Sequence, residues 1–287
     1  VSGARAGAGL LHVGHPRSRR GKRSLGRHHP KSRARKMHDD IADRRIVTYG
    51  FSAQADVRAV NLELTPTGSH FDVVITDRKT RAATTLAGMH LSVIGQHNVQ
   101  NSLAAIAIAH QLGFAEPAIR AGLGKFGGVK RRFTRTGTVN GIQIIDDYGH
   151  HPVEIATTLK AARQAAGNHR VIAVLQPHRY SRLSGLFNDF CTCCNDADAV
   201  IVTDVYAAGE VPIAGADRDA LVAGMRERGH REVHALSNQE ALPGLVAELA
   251  QPGDVVICLG AGSISGWAQA LPEQLTAVFV TKPRVKA

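Results

Sequence analysis

The sequence predicts an α/β fold built on a parallel sheet, and three observations predict it. From about residue 142 onward, short apolar runs alternate with longer amphipathic stretches, which is typical of strands connected by helices. Polar clusters follow several apolar runs directly, as they do where parallel strands end. The 287 residues are 44% apolar and 21% charged, which is the composition of a globular protein. We expect a cytoplasmic protein of one large or two ordinary domains.

Residue spacing predicts the elements of the first half. Strands are predicted at 45–51, 57–64, 71–76 and 82–86, and helices at 96–112 and 116–125. The longer helix follows from Leu103, Ala107 and His110, which recur at helical spacing. A Gly-rich stretch and the basic run that ends at Arg132 come next, and we interpret them as a hinge between two domains.

The second half is predicted to alternate regularly between strand and helix. Strands are predicted at 142–146, 171–175, 199–203 and 255–259, and helices at 152–166, 181–194, 218–228, 238–250 and 263–271. The domain limits that follow are 1–42, 43–132 and 133–287. The last of these is expected to be a Rossmann-like α/β domain.

The net charge of +11 comes mainly from the first 40 residues, which hold eleven Lys and Arg against Asp39 and Asp40. Residues 1–42 have little apolar periodicity, so we predict that they are disordered or translated from an alternative reading frame. A basic nucleic-acid-binding arm and a natural flexible tail are the alternatives. The four cysteines are too few and too clustered for a disulfide framework or a zinc site, so we predict buried thiols and no metal centre.

Polar residues open the long helix of the first half. Asn98 and Asn101 share one face near its N-terminus, and His97 lies beside them. Two amides and an imidazole there could bind a purine, although Asn98 could equally be an ordinary helix cap. At the hinge, Arg132 could reach a phosphoryl group, and a solvated basic turn is the alternative.

Two polar stretches follow buried strands of the second half. They are Asp146-Asp147-Tyr148-Gly149-His150-His151-Pro152 and Gln176-Pro177-His178-Arg179-Tyr180-Ser181-Arg182. Carboxylates suit ribose hydroxyls or a metal, whereas imidazole and guanidinium groups suit carboxylate or phosphate oxygens. We expect the two stretches to lie at neighbouring strand ends and to face one pocket for an anionic ligand.

A third glycine-containing turn follows the last strand, at Gly260-Ala261-Gly262-Ser263-Ile264-Ser265. It begins like a dinucleotide-binding fingerprint, but Ser265 takes the place of the third glycine, and no acidic strand follows. We interpret it as a tight strand-to-helix turn.

Taken in order and spacing, these stretches resemble the Mur ligase family from about residue 43 to about residue 271. The two polar strand ends resemble the L-alanine-adding members in particular. The family has a UDP-binding domain, a central ATPase domain and a C-terminal α/β domain. The resemblance implies that residues 43–132 match the second half of the central domain, and that residues 133–287 match the C-terminal domain.

The resemblance implies a reaction in peptidoglycan precursor synthesis. ATP phosphorylates the carboxylate of UDP-N-acetylmuramate, and the amine of L-alanine then attacks the acyl phosphate. His97, Asn98 and Asn101 would lie at the adenine. Arg132 would contact the γ-phosphate, Asp147 the ribose, and His150 would complete the catalytic set. The residues expected to face the muramyl substrate and L-alanine are Tyr148, His150, His178, Arg179 and Arg182.

The family also has a phosphate-binding loop ending in Gly-Lys-Thr, followed by a glutamate and a histidine that hold Mg²⁺. These features precede the matched region in the family, and this sequence contains no such loop. We therefore expect a truncated or frameshifted product that does not turn over alone, with the Mg²⁺ ligands in the missing upstream region.

Three rival functions stay open. A ligase of the same family that recycles murein tripeptide shares part of the motif pattern. An NAD-dependent oxidoreductase rests only on the turn at Gly260. A nucleic-acid-binding remnant rests only on the basic segment, and it would bind with strong salt dependence. We expect partners to be the two substrates, without a membrane or nucleic acid.

Overall fold

The computed structural model describes residues 9–12 and 46–281, and it divides the chain into two compact units. The first unit contains most of the chain up to Phe126, and the second contains residues 127 onward. Two short segments, 64–68 and 92–95, group with the second unit. The division falls six residues before the predicted domain limit at residue 133.

The first unit contains a five-stranded sheet in the order β1-β2-β3-β4-β5. Its strands are β1 (Gly9–His12), β2 (Ile46–Gly50), β3 (Val57–Thr65), β4 (Gly68–Thr76) and β5 (Ala83–Leu91). Strand β1 pairs antiparallel with β2, which contradicts the predicted disorder for those four residues. The rest of the basic segment lies outside the described residues. Strands β2 and β3 agree with the predictions to within one residue at each end, whereas β4 begins three residues earlier than predicted and β5 continues to Leu91.

Two helices complete the first unit, α1 (Gln96–Gln111) and α2 (Glu116–Lys125). Helix α1 buries Val99, Ser102, Leu103, Ile106 and Ala107, which recur at the three- and four-residue spacing of one helix face. A helix with such a stripe gains stability from packing rather than from its own propensity. The predicted bounds of α2 are confirmed, with a proline at its first turn.

The second unit contains a six-stranded sheet in the order β10-β9-β8-β11-β7-β6. Its strands are β6 (Thr134–Val139), β7 (Ile142–Asp147), β8 (Val171–Leu175), β9 (Ala199–Val202), β10 (Val233–Ala235) and β11 (Val255–Leu259). The pairs among β7 to β11 are parallel, and β6 joins β7 antiparallel at one edge. Every residue of β8, β9 and β11 is buried, as expected for strands covered on both faces.

Two apolar layers cover the faces of this sheet. On one face the core includes Ile155 and Leu159 of α3 (Pro152–Ala166) and Leu221 of α6 (Arg218–Glu227). On the other it includes Val246 of α7 (Leu242–Leu249) and Leu271 of α8 (Ile264–Thr281). The α/β fold with a largely parallel sheet is therefore confirmed. No helix in the described ranges 9–12 and 46–281 is long and apolar enough to span a membrane.

Three predicted elements differ from the structure. The helix predicted at 181–194 is two short helices, α4 (Tyr180–Gly185) and α5 (Phe187–Phe190), which are separated after Gly185. The helix predicted to end at residue 271 continues through Pro272 to Thr281. The helix predicted at 238–250 begins instead as a short 3₁₀ segment, Gln239–Ala241, before α7. Strands β6 and β10 were not predicted.

Candidate active site

The candidate site lies where the parallel strands of the second unit end. Asp147 is the last residue of β7, Gln176 follows β8, and Gly260 follows β11. Leu259 pairs with both Asp147 and Leu175, so the three strand ends lie at one level. Ligands of open α/β sheets bind in the crevice outside this edge.

Strand β11 lies between β7 and β8, so the predicted neighbouring strand ends are separated by one strand. Even so, the two polar stretches meet, because the ring centroids of His150 and His178 are 5.8 Å apart. The turn after β11 has glycines at positions 260 and 262, where the loop after β8 approaches closely through Gln176.

Asp147 is 3% exposed and accepts three hydrogen bonds. Its Oδ2 accepts from the backbone N–H of Phe133 at 2.8 Å, and its Oδ1 accepts from Gly149 N–H at 2.7 Å and from the Thr158 hydroxyl at 3.2 Å. Burial raises the pKa of Asp147, while these hydrogen bonds and the Arg132 charge partly oppose the rise. A carboxylate has about four lone-pair positions, so one remains for a further donor.

The neighbouring Asp146 is also buried, and its Oδ2 accepts from the hydroxyl of Ser265 in the first turn of α8. Nε of Arg131 lies 3.9 Å from the same oxygen. The Arg131 guanidinium also donates to the carbonyl of Gly260 at 3.3 Å and lies 4.7 Å from the ring centroid of Tyr148. The two adjacent acids therefore contact different segments.

His150 and His151 have different roles at the start of α3. The ring of His151 caps the helix, and Glu154 completes the capping box by accepting from the backbone. The Nδ1 of His150 lies 3.0 Å from the Tyr148 carbonyl, which can only accept, so Nδ1 carries the proton and Nε2 is the acceptor of the neutral ring.

The loop after β8 is held by the turn after β11. The side chain of Gln176 donates to the Ser263 hydroxyl at 3.0 Å and accepts from the backbone N–H of Ile264 at 3.1 Å. A Cβ on Gly262 would lie 2.5 Å from Gln176 Oε1, so this close approach requires glycine. The interpretation of the segment as a tight strand-to-helix turn agrees with this geometry.

His178 contacts Arg182 and a ring from the β9 loop. The Arg182 guanidinium lies 3.2 Å from His178 Nδ1, and the Tyr206 ring stacks on the imidazole with centroids 5.3 Å apart. Because guanidinium can only donate, Nδ1 is the acceptor and Nε2 carries the proton. Burial lowers the pKa of His178, and the charges of Arg182, His150 and Arg179 lower it further.

Arg179 has a left-handed backbone, with φ of 74°, and its guanidinium donates to Glu210 at 3.3 Å. Glu210 also accepts from the backbone N–H of Ser181 at 2.9 Å and from its hydroxyl at 2.7 Å. These hydrogen bonds lower the pKa of Glu210, so a charged carboxylate fixes the turn that presents Arg179 and Arg182.

Comparisons with known proteins agree with this architecture. Residues 131–262 match the model of the Mur ligase glutamate ligase domain, and residues 29–109 match that of the Mur ligase middle domain. The chain belongs to the Mur ligase family. The match to the middle domain begins at residue 29, inside the segment predicted to be disordered or out of frame.

Individual relatives of this Mur ligase chain are longer than it is. It is 62% identical over 250 residues to the UDP-N-acetylmuramate–L-alanine ligase of Rhodospirillum centenum, a match that covers 86% of this chain and 52% of the relative. The corresponding enzyme of Rhodospirillum rubrum is 58% identical, with 87% and 51% covered. The chain thus spans about half the length of these curated relatives.

Solved structures share the fold. A UDP-N-acetylmuramate–alanine ligase from Thermotoga maritima superposes with a TM-score of 0.65 at 24% identity, covering 80% of this chain and 48% of that one. A MurF ligase from the same organism, in complex with ADP, superposes with a TM-score of 0.58 at 16% identity, covering 80% and 48%. At these identities the likeness establishes the fold alone.

Three predicted site residues of this Mur ligase chain belong to the first unit, whereas Arg132 belongs to the second. His97, Asn98 and Asn101 all lie in the first two turns of α1. Asn101 is exposed, and the other two are half-buried. Their predicted contact with adenine stays a prediction. Among residues 46–281, whose side chains are described, no group of three His, Cys, Asp or Glu is arranged to hold a metal ion.

Sequence reasoning missed three residues that support the site: Ser265, Tyr206 and Glu210. Tyr206 also lines an open cleft of about 360 Å³ beyond the ends of β8 to β10, together with Asn238 and Trp267. Each missed residue is distant in sequence from the stretch that it contacts, so local patterns gave no signal for it. The polar segment after β9 was the one available indication.

Proposed function

We propose that this chain supplies half of an ATP-dependent ligase that joins L-alanine to UDP-N-acetylmuramate in the cytoplasm, in peptidoglycan precursor synthesis. The observation that carries the proposal is the meeting of the His150 and His178 stretches at one strand edge. The 62% identity to a relative with that name supports the choice of substrates.

The chemistry requires two steps at one carboxylate. ATP supplies the phosphoryl group that converts the muramyl carboxylate into an acyl phosphate. The L-alanine nitrogen then attacks the carbonyl carbon, the carbon–oxygen bond to phosphate breaks, and inorganic phosphate leaves with the electron pair. Such reactions depend on positioning and on stabilisation of negative charge, without a protein nucleophile.

The arginines of the site suit the anionic groups of this reaction. Arg132 is exposed, and it stands near enough to Asp147 and Glu154 to oppose the rise that burial alone would give their pKa values. Its exposed guanidinium fits a phosphoryl oxygen. Arg179 and Arg182 would bind carboxylate oxygens, and the Nε2–H of His178 would donate to the same anion.

His150 suits the proton transfer. L-Alanine is an ammonium ion at neutral pH, and it must lose a proton before its nitrogen can attack. The Nδ1–H of His150 is directed at the Tyr148 carbonyl, which leaves the Nε2 lone pair as the acceptor. His150 is therefore our choice for the general base. For Asp147, the one unused lone-pair position would accept a ribose hydroxyl.

A hybrid enzyme tests the function. Residues 46–281 of this chain would replace the matched part of the Rhodospirillum centenum ligase, and phosphate release would be measured with ATP, UDP-N-acetylmuramate and L-alanine. We expect release that requires all three, and loss of at least about 100-fold in kcat with His150→Ala, within the usual range for a general base. The His234→Ala variant, at β10, is the control.

Two outcomes would reject the proposal. A folded hybrid that requires murein tripeptide in place of L-alanine would favour the recycling ligase. A folded hybrid without activity, beside an active parent enzyme, would remove the ligase function. The same assay on the chain alone tests the expectation that it does not turn over.

A further inference from the structure

We propose that Arg131 is a positioning residue, which fixes the loop that presents Arg132 to phosphoryl groups. The inference rests on the proposed function, because it concerns the arginine assigned to the phosphate. It concerns Arg131 itself, to which neither the sequence motifs nor the relatives' names give a role.

The backbone around Arg132 is held in an unusual conformation. Arg131 has φ of 61° and Phe133 has φ of 50°, so residues with side chains occupy the left-handed region on both sides of Arg132. Such conformations persist where surrounding contacts over-determine them. Here the carbonyl of Arg131 accepts from Tyr148 N–H at 2.7 Å, and Phe133 N–H donates to Asp147 at 2.8 Å.

The side chain of Arg131 provides a further anchor. Its guanidinium donates to the Gly260 carbonyl, lies beside the Asp146 carboxylate and lies over the Tyr148 ring. Asp146 is fixed in turn by the hydroxyl of Ser265. Two separate segments of the strand edge thus hold the guanidinium directly, the end of β7 and the turn after β11, and the first turn of α8 holds it indirectly through Asp146.

The charge arrangement explains why this anchor would matter for Arg132. The centre of the Arg132 guanidinium lies 5.6 Å from the Tyr148 ring centroid, and that of Arg131 lies 4.7 Å from the same centroid. Two cations close to one ring repel each other unless one is neutralised. Asp146 offsets the Arg131 charge from the buried side, so the exposed Arg132 keeps its charge available for an anion.

Arg131 itself is held by the protein and is not the arginine proposed to bind an anion. It is half-buried, and its Nε has no hydrogen-bond partner among the described residues, so the guanidinium is held by its charge, one carbonyl and one ring. We infer that replacing Arg131 keeps the Arg132 side chain but lets the loop relax toward ordinary backbone conformations. Arg132 would then bind phosphate oxygens less well.

The test uses the full chain and inorganic tripolyphosphate as the probe. Binding is followed by calorimetry and by the NMR signal of the Arg132 Nε–H group. We expect Arg132→Ala to abolish tripolyphosphate binding at this site. Arg131→Leu should weaken tripolyphosphate binding about tenfold, equivalent to about 1.4 kcal/mol. Arg131→Lys should recover part of the affinity, because its charge can still pair with Asp146. Arg170→Leu is the matched control, since that half-buried arginine precedes β8 at its opposite end and donates to the backbone carbonyl of Leu249.

The outcomes separate the inference from the proposed function. Unchanged affinity and an unchanged Arg132 signal in Arg131→Leu would overturn the positioning role alone. Equal weakening in the Leu and Lys variants, matched by an equal loss of stability, would assign Arg131 a purely structural role and overturn it as well. If Arg132→Ala binds the probe normally, the phosphate role in the proposed function fails, and the positioning role fails with it.

Discussion

Removal of the Asp147 carboxylate should destabilise the second unit strongly. Asp147→Ala leaves two backbone N–H groups and one hydroxyl without their acceptor in a site where Asp147 is 3% exposed. Hydrogen bonds to a charged group contribute about 1.5–3 kcal/mol each. Because burial raises the pKa of this carboxyl, part of that gain is already offset by its desolvation. We therefore expect a net loss of about 3–5 kcal/mol in the free energy of unfolding.

Urea unfolding measures this loss. Trp267 is the single tryptophan of the chain and lies in α8, so its fluorescence reports on the second unit. Asp147→Asn keeps the oxygen that accepts from Gly149 and Thr158 but turns a donor toward Phe133 N–H, so a loss of about 1–3 kcal/mol is expected. The exposed Asp196→Ala is the control, with a change within about 0.5 kcal/mol. A loss below about 1 kcal/mol in Asp147→Ala would refute the reasoning, since no buried donor could then have lost its partner.

The other predictions concern pH, packing and thiol reactivity. His178 should titrate below the ordinary histidine range in NMR. Because its folded-state pKa is lowered, the unfolded chain binds more protons, and His178 should make stability fall as pH decreases below about 6.5. A His178→Gln variant that keeps the same slope in this window would contradict that. Gly262→Ala should lose about 1–3 kcal/mol through its clash with Gln176 and Tyr206, whereas Gly266→Ala, with open space around its Cβ, should gain up to about 1 kcal/mol of helix propensity. Burial raises the pKa of the Cys258 thiol well above its usual range, so a thiol reagent should label it only after unfolding, and rapid labelling of the native chain would contradict this.

The fold was most predictable where local chemistry and burial agree. Helix α3 has Pro152 in its first turn and Gly167 just after its end, and both predicted limits are confirmed. Fully buried strands such as β8 appear as short apolar runs, and they were found as well. The misses are elements with no such signal. Strand β6 is polar with Gly137 inside it, and it forms by pairing with β7 at the sheet edge.

Pro272 shows why the end of α8 could not be predicted. A proline inside a helical pattern normally ends or kinks the helix. In α8 the core residue Leu275, beyond the proline, is fully buried, and packing against the sheet offsets the lost hydrogen bond. Tertiary packing of this kind is not visible in a local pattern.

The two polar stretches that meet at the candidate site were predictable, but the residues that support them were not. Both polar stretches were found because each follows a buried strand, and parallel strands end at one edge. Their supporting contacts come from sequence-distant segments, as Asp146 does with Ser265 across 119 residues. Such pairs meet only because of the order of the strands in the sheet, and that order cannot be predicted from a single sequence.

The carboxylates and the arginines at this edge of the sheet have different roles. Asp147, Glu154 and Glu210 each accept backbone N–H groups of the loops, at Phe133 and Gly149, at His150, and at Ser181 respectively. Burial alone would raise the pKa of Glu154, but the hydrogen bonds from His150 and His151 and nearby positive charges lower it overall. The acids therefore hold the loops in shape, while in the proposed function the guanidiniums of Arg132 and Arg182 would bind the anionic groups. Because these carboxylates accept from backbone N–H groups and Arg132 is exposed, we expect this edge to attract anionic substrates.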